Sequence, residues 1–274
     1  MPDEVATAAL LVALGFGVST YGSIIGAGGG FLLVPALLLL EPGESARTVT
    51  TISLAAICFN GISATVAYAR LGRIDVPSGI LLSASAVPGA IVGAWATRFV
   101  PRGPFDLAFG ALLIVIAAYL LYPRRPAAAL GPPGLGWVVR RFTDANGTTF
   151  FYAFSRRMAL LIGFADGLIA ALAGIGGGIL VVPAIVAWLH FPVHIATATS
   201  ALVFTISALT GTATHLVAGD FDFGLGPILF LAIGLLVGAQ LGARLSGRLS
   251  QGLIMRLLAA GIGLIGIGLI FANV

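Results

Sequence analysis

A chain of 274 residues with 59% hydrophobic and 9% charged side chains, and a mean hydropathy of +1.09, is too apolar for a soluble domain and has the balance of a polytopic membrane protein. Its 14 basic residues are all arginine and stand apart between apolar spans, so the net charge of +4 describes no solvated basic face, and a nucleic-acid partner is excluded. The single cysteine, Cys58, sits in an apolar run and reads as a small core residue, because alone it makes neither an intrachain disulfide nor a cysteine metal site.

The chain opens with MPDEVATAALLVALGFGV, which carries Asp3 and Glu4 where a signal peptide would carry basic residues, so it reads as a retained first membrane segment. Apolar stretches follow over residues 5–40, 48–69, 77–100, 104–122, 157–189, 195–218, 224–243 and 253–272. A bilayer crossing needs about 20 residues. The first and fifth stretches are too long for one helix, and each holds a glycine cluster near its middle. Each is therefore expected to be two segments, 5–25 with 30–40 and 157–173 with 178–189. The second member of each pair is about a dozen residues, or about 18 Å at 1.5 Å per residue, which is short of a hydrocarbon core of about 30 Å. These members read as half-helices packed inside protein, where irregular backbone is tolerated.

The two clusters belong to an internal duplication. Gly26-Ala27-Gly28-Gly29-Gly30 leads into FLLVPALLLL, and 148 residues later Gly174-Ile175-Gly176-Gly177-Gly178 leads into ILVVPAIVAW, with Pro35 and Pro183 at the same offset and expected in the first turns of the half-helices. Further on, Gly72-Arg73-Ile74-Asp75 corresponds to Gly219-Asp220-Phe221-Asp222, and Gly89 and Gly93 to Gly234 and Gly238. Each half thus holds a glycine-broken helical hairpin and three transmembrane helices, residues 1–122 and 158–274, with 123–157 between them.

Arginine placement distinguishes the two topologies, since short cytoplasmic loops collect basic residues. If each broken segment crosses once, the linker side holds 8 arginines against 6; if each enters and leaves on one face, it holds 11 against 3. The second division predicts an all-α polytopic protein of the cell membrane built from two inverted repeats, with both termini outside and residues 123–157 cytoplasmic. Within that linker, Asn146-Gly147 lies between β-prone runs, the signal of a small β-hairpin with a type I′ turn. Its plainest role is a tether; regulation or docking is the alternative.

A half-helix that begins after glycines presents unpaired N–H groups and a partial positive charge, an arrangement that binds anions without a cationic side chain. In an inverted repeat two such ends converge near the midplane, where secondary transporters bind substrate. The expected anion ligands are the backbones of Gly28, Gly29 and Gly30 and of Gly176, Gly177 and Gly178, with hydroxyl help from Thr50, Thr51, Thr199 and Ser200. Tight packing through small residues explains the glycines equally simply. A nucleotide loop does not fit, because Phe31 stands where GxGxxG needs its last glycine and no Walker lysine follows. Asn60 and Gln240 read as interhelical ties, and Gly234, Gly238 and Gly242 as a close-packing face.

Ionisable groups at membrane depth raise a functional hypothesis. Asp166 lies about 14 Å into its span at 1.5 Å per residue and has no acidic counterpart in the first half, where Gly17 or Val18 takes its place. It and His215 are the candidates for proton coupling, set against an interfacial role for each. His190 and His194 flank Pro192 in a turn and do not form a metal pair. No catalytic residue, metal site or cofactor motif is expected.

Together, the two glycine clusters with their following prolines, TATSAL at 197–202 with the looser TVTTISL at 48–54, and the loops Gly219-Asp220-Phe221-Asp222 and Gly72-Arg73-Ile74-Asp75 resemble the sulfite exporter TauE/SafE family, also called the toluene-sulfonate uptake permeases. The resemblance spans nearly the whole chain. It implies transport of sulfite, sulfonates or related sulfur oxyanions, coupled to an ion gradient. The first half departs from the pattern at Thr51-Ile52, and Tyr68 stands where the second half has His215. The expected partners are a small anionic substrate and the lipid bilayer, and a homo-oligomer stays open. A passive anion channel and a non-transporting membrane scaffold are the other readings.

Overall fold

The computed structural model describes residues 2–40, 46–97, 99, 102–121, 136–145, 147–219 and 226–271. The proline- and glycine-rich stretch 123–135 and the second Gly-x-Phe-Asp loop, including Asp220 and Asp222, lie outside them. Among the described residues there are ten helices and two strands: α1 (Pro2–Ile25), α2 (Gly30–Leu40), α3 (Ala46–Arg70), α4 (Val76–Ala96), α5 (Arg102–Leu121), β1 (Trp137–Thr143), β2 (Thr149–Ser155), α6 (Arg156–Ala173), α7 (Val181–Trp188), α8 (Val193–Val217), α9 (Gly226–Ser246) and α10 (Gln251–Phe271). Six of them, α1, α3, α4, α8, α9 and α10, contain stretches long and apolar enough to cross a membrane.

The long apolar stretches break at the glycines. α1 ends as Ala27 and Gly28 donate back to Gly22 O, and α6 ends in the same way, with Ile175 and Gly176 donating to Ala170 O. The segments that follow are short: α2 has 11 residues and α7 has 8, about 16 and 12 Å at 1.5 Å per residue. α7 starts three residues later than expected because Gly177 and Gly178 hold φ at +92° and +82°, which no right-handed helix accepts. Pro183 falls in the first turn of α7, as expected, but Pro35 does not in α2. Leu32 and Leu33 already donate to Gly29 O, so the first turn is complete before Pro35, whose missing N–H leaves Phe31 O without its helical donor.

α3 and α8 form the enclosed centre, and each of the other long helices packs on an element from the opposite side of the linker. α1 runs alongside α9 in the same direction, with Gly15 against Leu231, Gly238 against Phe16 and Ser19, and Gly242 against Thr20 and Ser23. α6 runs alongside α4 in the same way, with Gly163 against Leu82 and Ser85, Gly167 against Ala86, and Gly93 against Leu168. A Cβ at any of these glycines would overlap neighbouring backbone or a side chain, so the sequence sets the helix spacing by omitting side chains there. α5 packs on α10. Large apolar side chains such as Trp95, Val115 and Leu264 face outward, where hydrocarbon is the solvent.

β1 and β2 form an antiparallel pair in register from Trp137↔Ser155 to Thr143↔Thr149. Their turn is not type I′. Gly147 N donates to Asp144 O, Asp144 N to Thr148 O, and Gly147 alone among the described turn residues has positive φ. The connection is therefore a three-residue loop with glycine in the left-handed position. Asp144 Oδ1 accepts from Thr148 N at 2.9 Å, a side-chain closure that a two-residue loop would not accommodate.

The hairpin is docked rather than merely tethered. Tyr152 and Phe154 are buried in one cluster with Leu82, Phe191 and Ile195, with the Tyr152 ring 4.5 Å and the Phe154 ring 5.4 Å from that of Phe191. Several junctions gather at this end: Gly72 lies against Ala145, Asp75 is paired with Arg140, Gly247 lies against the Arg73 guanidinium, and His194 feels the charges of Arg73 and Asp144.

Candidate functional site

The two glycine clusters meet. Gly30 lies against Ile175 O, and Gly178 against the Gly26–Ala27 peptide, so the breaks after α1 and α6 form one buried junction. Each break also abuts the helix after the other one: Gly26 touches Thr197 and Gly28 touches Phe204 of α8, while Gly174 touches Thr50 and Gly176 touches Ile57 of α3. Ile57 and Phe204 lie near the middle of the two longest helices, so the junction is at mid-depth in the bundle.

The N–H groups are unequal. Those of Gly28 and Gly176 are spent on closing α1 and α6, whereas those of Gly29 and Gly177 donate to no protein acceptor among the described residues. Both sit at φ near +80° to +90°, a backbone conformation that only glycine adopts without strain. The Gly178 N–H interacts with Asp166. Opposite the clusters, Asn60 Nδ2 donates to Gly28 O, and Asn60 Oδ1 accepts from Ser19 at 2.8 Å and Ser23 at 3.3 Å. Asn60 therefore braces the first break, while Gln240 ties α9 to α3 through Ser63 O at 2.9 Å.

The hydroxyls expected around the site divide. Thr50 and Thr51 are buried at the start of α3, Thr50 directly against Gly174. Ser200 Oγ lies 2.7 Å from Gly26 O and 2.8 Å from Thr197 O, shared between the two carbonyls. Its counterpart Ser53 is fully buried and its Oγ has no partner. Thr199 is drawn elsewhere, accepting from Asp75 N at 3.0 Å.

Asp75 was legible in the sequence only as part of a repeated loop. It is the N-cap of α4, with proline following in the first turn, a local signal that was available. What the sequence did not reveal is its partner set. Arg140 Nε and Nη2 donate to it at 3.0 and 2.5 Å, Tyr152 Oη at 2.7 Å and Ser78 Oγ at 2.5 Å. Burial pushes the Asp75 carboxyl up, but the hydrogen bonds from Arg140, Ser78 and Tyr152 outweigh it and hold the group below the usual carboxylate range. Burial and the neighbouring Asp75 charge raise the Tyr152 phenol well above its ordinary value.

The two proton-coupling candidates are not brought together. Asp166 lies beside Gly177 and Phe204, and His215 is buried in the last turn of α8, about 16 Å beyond Phe204 at 1.5 Å per residue. A cavity of about 580 Å³ separates α5 from α6 and α7; Tyr119, Leu161, Pro183 and Trp188 line it, and Asp166 borders it. Among the described residues no cluster of histidine, cysteine and carboxylate side chains could hold a metal ion.

Among the described residues, six helices long and apolar enough to cross a membrane, with large apolar side chains facing outward, define a multi-pass membrane protein whose broken helices meet at an interior junction. The profile of the sulfite exporter TauE/SafE family matches residues 11–269, and the chain belongs to that family of membrane transporters, which sets it apart from enzymes. It is 32% identical over 216 residues to the probable membrane transporter protein YunE of Bacillus subtilis, covering 77% of this chain and 78% of the relative. It is 26% identical over 214 residues to the probable membrane transporter protein MJ0441 of Methanocaldococcus jannaschii, covering 76% and 72%. No solved structure matches the chain.

Proposed function

We propose that the protein is a secondary active transporter of a small sulfur-containing oxyanion such as sulfite or a sulfonate, bound at the junction of the two glycine clusters. The observation that supports this reading is the meeting of the two glycine breaks, in each of which one N–H, that of Gly29 and that of Gly177, has no acceptor among the described residues, ahead of a short apolar helix. Gly30 and Gly178, with Thr50, Thr51 and Ser200, complete its wall; Gly28, Gly176 and Thr199 act through position rather than as donors. The choice of sulfur oxyanion rests on family membership.

Two inverted repeats, residues 1–122 and 158–274, rock about this site in alternating access. The exchange of packing partners across the linker, α1 with α9 and α6 with α4, supports the repeat. The gathering of the hairpin, the start of α8 and the α9–α10 junction at one end supports a re-entrant α6–α7 pair. With 11 of the 14 arginines on the linker side, that end is cytoplasmic and both termini are outside.

The test is flux of sulfite, thiosulfate and methanesulfonate in proteoliposomes. Gly29→Leu and Gly177→Leu abolish it while the variants still insert in the membrane. Full flux in both would remove the site, and downhill flux that no ion gradient can drive would make the protein a channel.

A further inference from the structure

Asp166 is 1% exposed, and among the described residues neither carboxylate oxygen has a partner in full hydrogen-bond geometry, while the backbone N–H groups of Gly178 and Val181 interact with it. Its Oδ2 is 2.8 Å from where a Cβ on Gly177 would be, so the carboxyl abuts the residue whose N–H is unspent. On its other side is the cavity between α5 and α6–α7. The corresponding place at the first cluster is taken by Val18, which lies against Gly29 as Asp166 lies against Gly177. One of the two glycine donors therefore has an apolar neighbour and the other an ionisable one.

A carboxylate buried beside an anion site with no cationic partner opposes the anion through charge, and the same group protonated does not. We propose that Asp166 is the proton-binding residue that couples anion occupancy at Gly177 to the proton gradient, a proposal that rests on the oxyanion reading above. A proton taken from water forms the neutral carboxylic acid, the oxyanion settles against the Gly177 N–H, and both leave on the opposite side. One proton with one monoanion moves no net charge.

The surroundings leave this role to Asp166. α4 and α7 contain no ionisable residue. α8 offers His194, held at the hairpin end near Arg73, and the distant His215. β2 offers Tyr152, committed to Asp75. α5 offers Tyr119, which lines the cavity, with Arg102 and Asp106 near the start of the helix. Arg156 and Arg157 of α6 itself lie about 14 Å or more back along the helix.

The experiment measures binding of methanesulfonate and thiosulfate, whose charges do not change between pH 5 and 9, to the purified full chain, followed by uptake in proteoliposomes. Wild-type affinity weakens about tenfold per pH unit over part of that range, the slope of one linked proton. Binding to wild type in weakly buffered solution takes up about one proton per anion. Asp166→Asn binds with an affinity that does not vary with pH and exchanges anion without accumulating it under a proton gradient. Asp166→Val, which installs the residue of the first cluster, repeats the measurement if the Asn variant does not fold. Retention of the pH slope in a folded variant overturns the proposal, as does loss of all binding in a folded Asn variant or absence of proton uptake by wild type. A wild-type protein that binds and transports none of the probes at any pH overturns the oxyanion reading as well, whereas pH-independent wild-type binding overturns only the role of Asp166.

Discussion

Asp75 shows how one side chain joins distant parts of the chain. Its carboxylate receives Arg140 and Tyr152 of the hairpin, and its own N–H is given to Thr199 at the start of α8, two residues after the threonine that touches Gly26. Removing one member of a buried ion pair strands the other. Because the Arg140 side chain is 25% exposed, we expect Asp75→Ala to cost about 2 to 4 kcal/mol of hairpin docking, at or below the range for fully buried pairs. Amide hydrogen exchange over residues 149–155 reads this directly; unchanged protection would show that the aromatic contacts with Phe191 suffice. The pH sign follows from the lowered carboxyl. A group whose folded pKa is depressed contributes its stabilisation above the unfolded pKa and loses it as pH falls through the folded one, so docking is constant at neutral pH and weakens below about pH 4. The candidate site was partly legible at this scale. Glycine clusters and a lone Asp166 stand out in an apolar chain, but which N–H groups are spent depends on how each helix closes six residues back, and that Thr199 turns to Asp75 depends on a contact 124 positions apart.

At the scale of the element, helix spacing is set by glycine rows on α4, α6 and α9. Gly167→Leu on α6 places a side chain against Ala86 O, where backbone rather than a movable group must yield. Overpacking costs about 1 to 3 kcal/mol in cores that can relax. The thermal midpoint in detergent should therefore drop for Gly167→Leu and stay near wild type for Gly252→Leu, where open space surrounds the glycine; equal midpoints would refute the spacing argument. Helix number and most boundaries could be read from apolar length, because a bilayer demands it. The later start of α7 and the three-residue hairpin loop could not, since they depend on which glycines take positive φ, whereas the second-turn position of Pro35 already followed from the expected bounds 30–40. The close packing of α1 on α9 was read only on the α9 side, from Gly234, Gly238 and Gly242; the facing row on α1, Gly15, Ser19 and Ser23, has the same spacing but only one glycine.

For the molecule as a whole, the proposed topology is open to labelling. Cys58 is buried and hydrogen-bonded to Leu54 O, so it gives a quiet background. Ala145→Cys and Ser250→Cys should react with a membrane-impermeant maleimide only from the cytoplasmic side, and Val5→Cys only from the outside. Any pair with reversed sides would refute the inverted arrangement. Contacts between α1 and α9 have another consequence, concerning synthesis. α1 is made more than two hundred residues before the surface of α9 that it packs on. Until then Ser19 and Ser23 have Asn60 of α3 to bond, but Gly15 has no Leu231 to lie against. A chain truncated before α9 would leave the glycine-facing side of α1, at Gly15, uncovered.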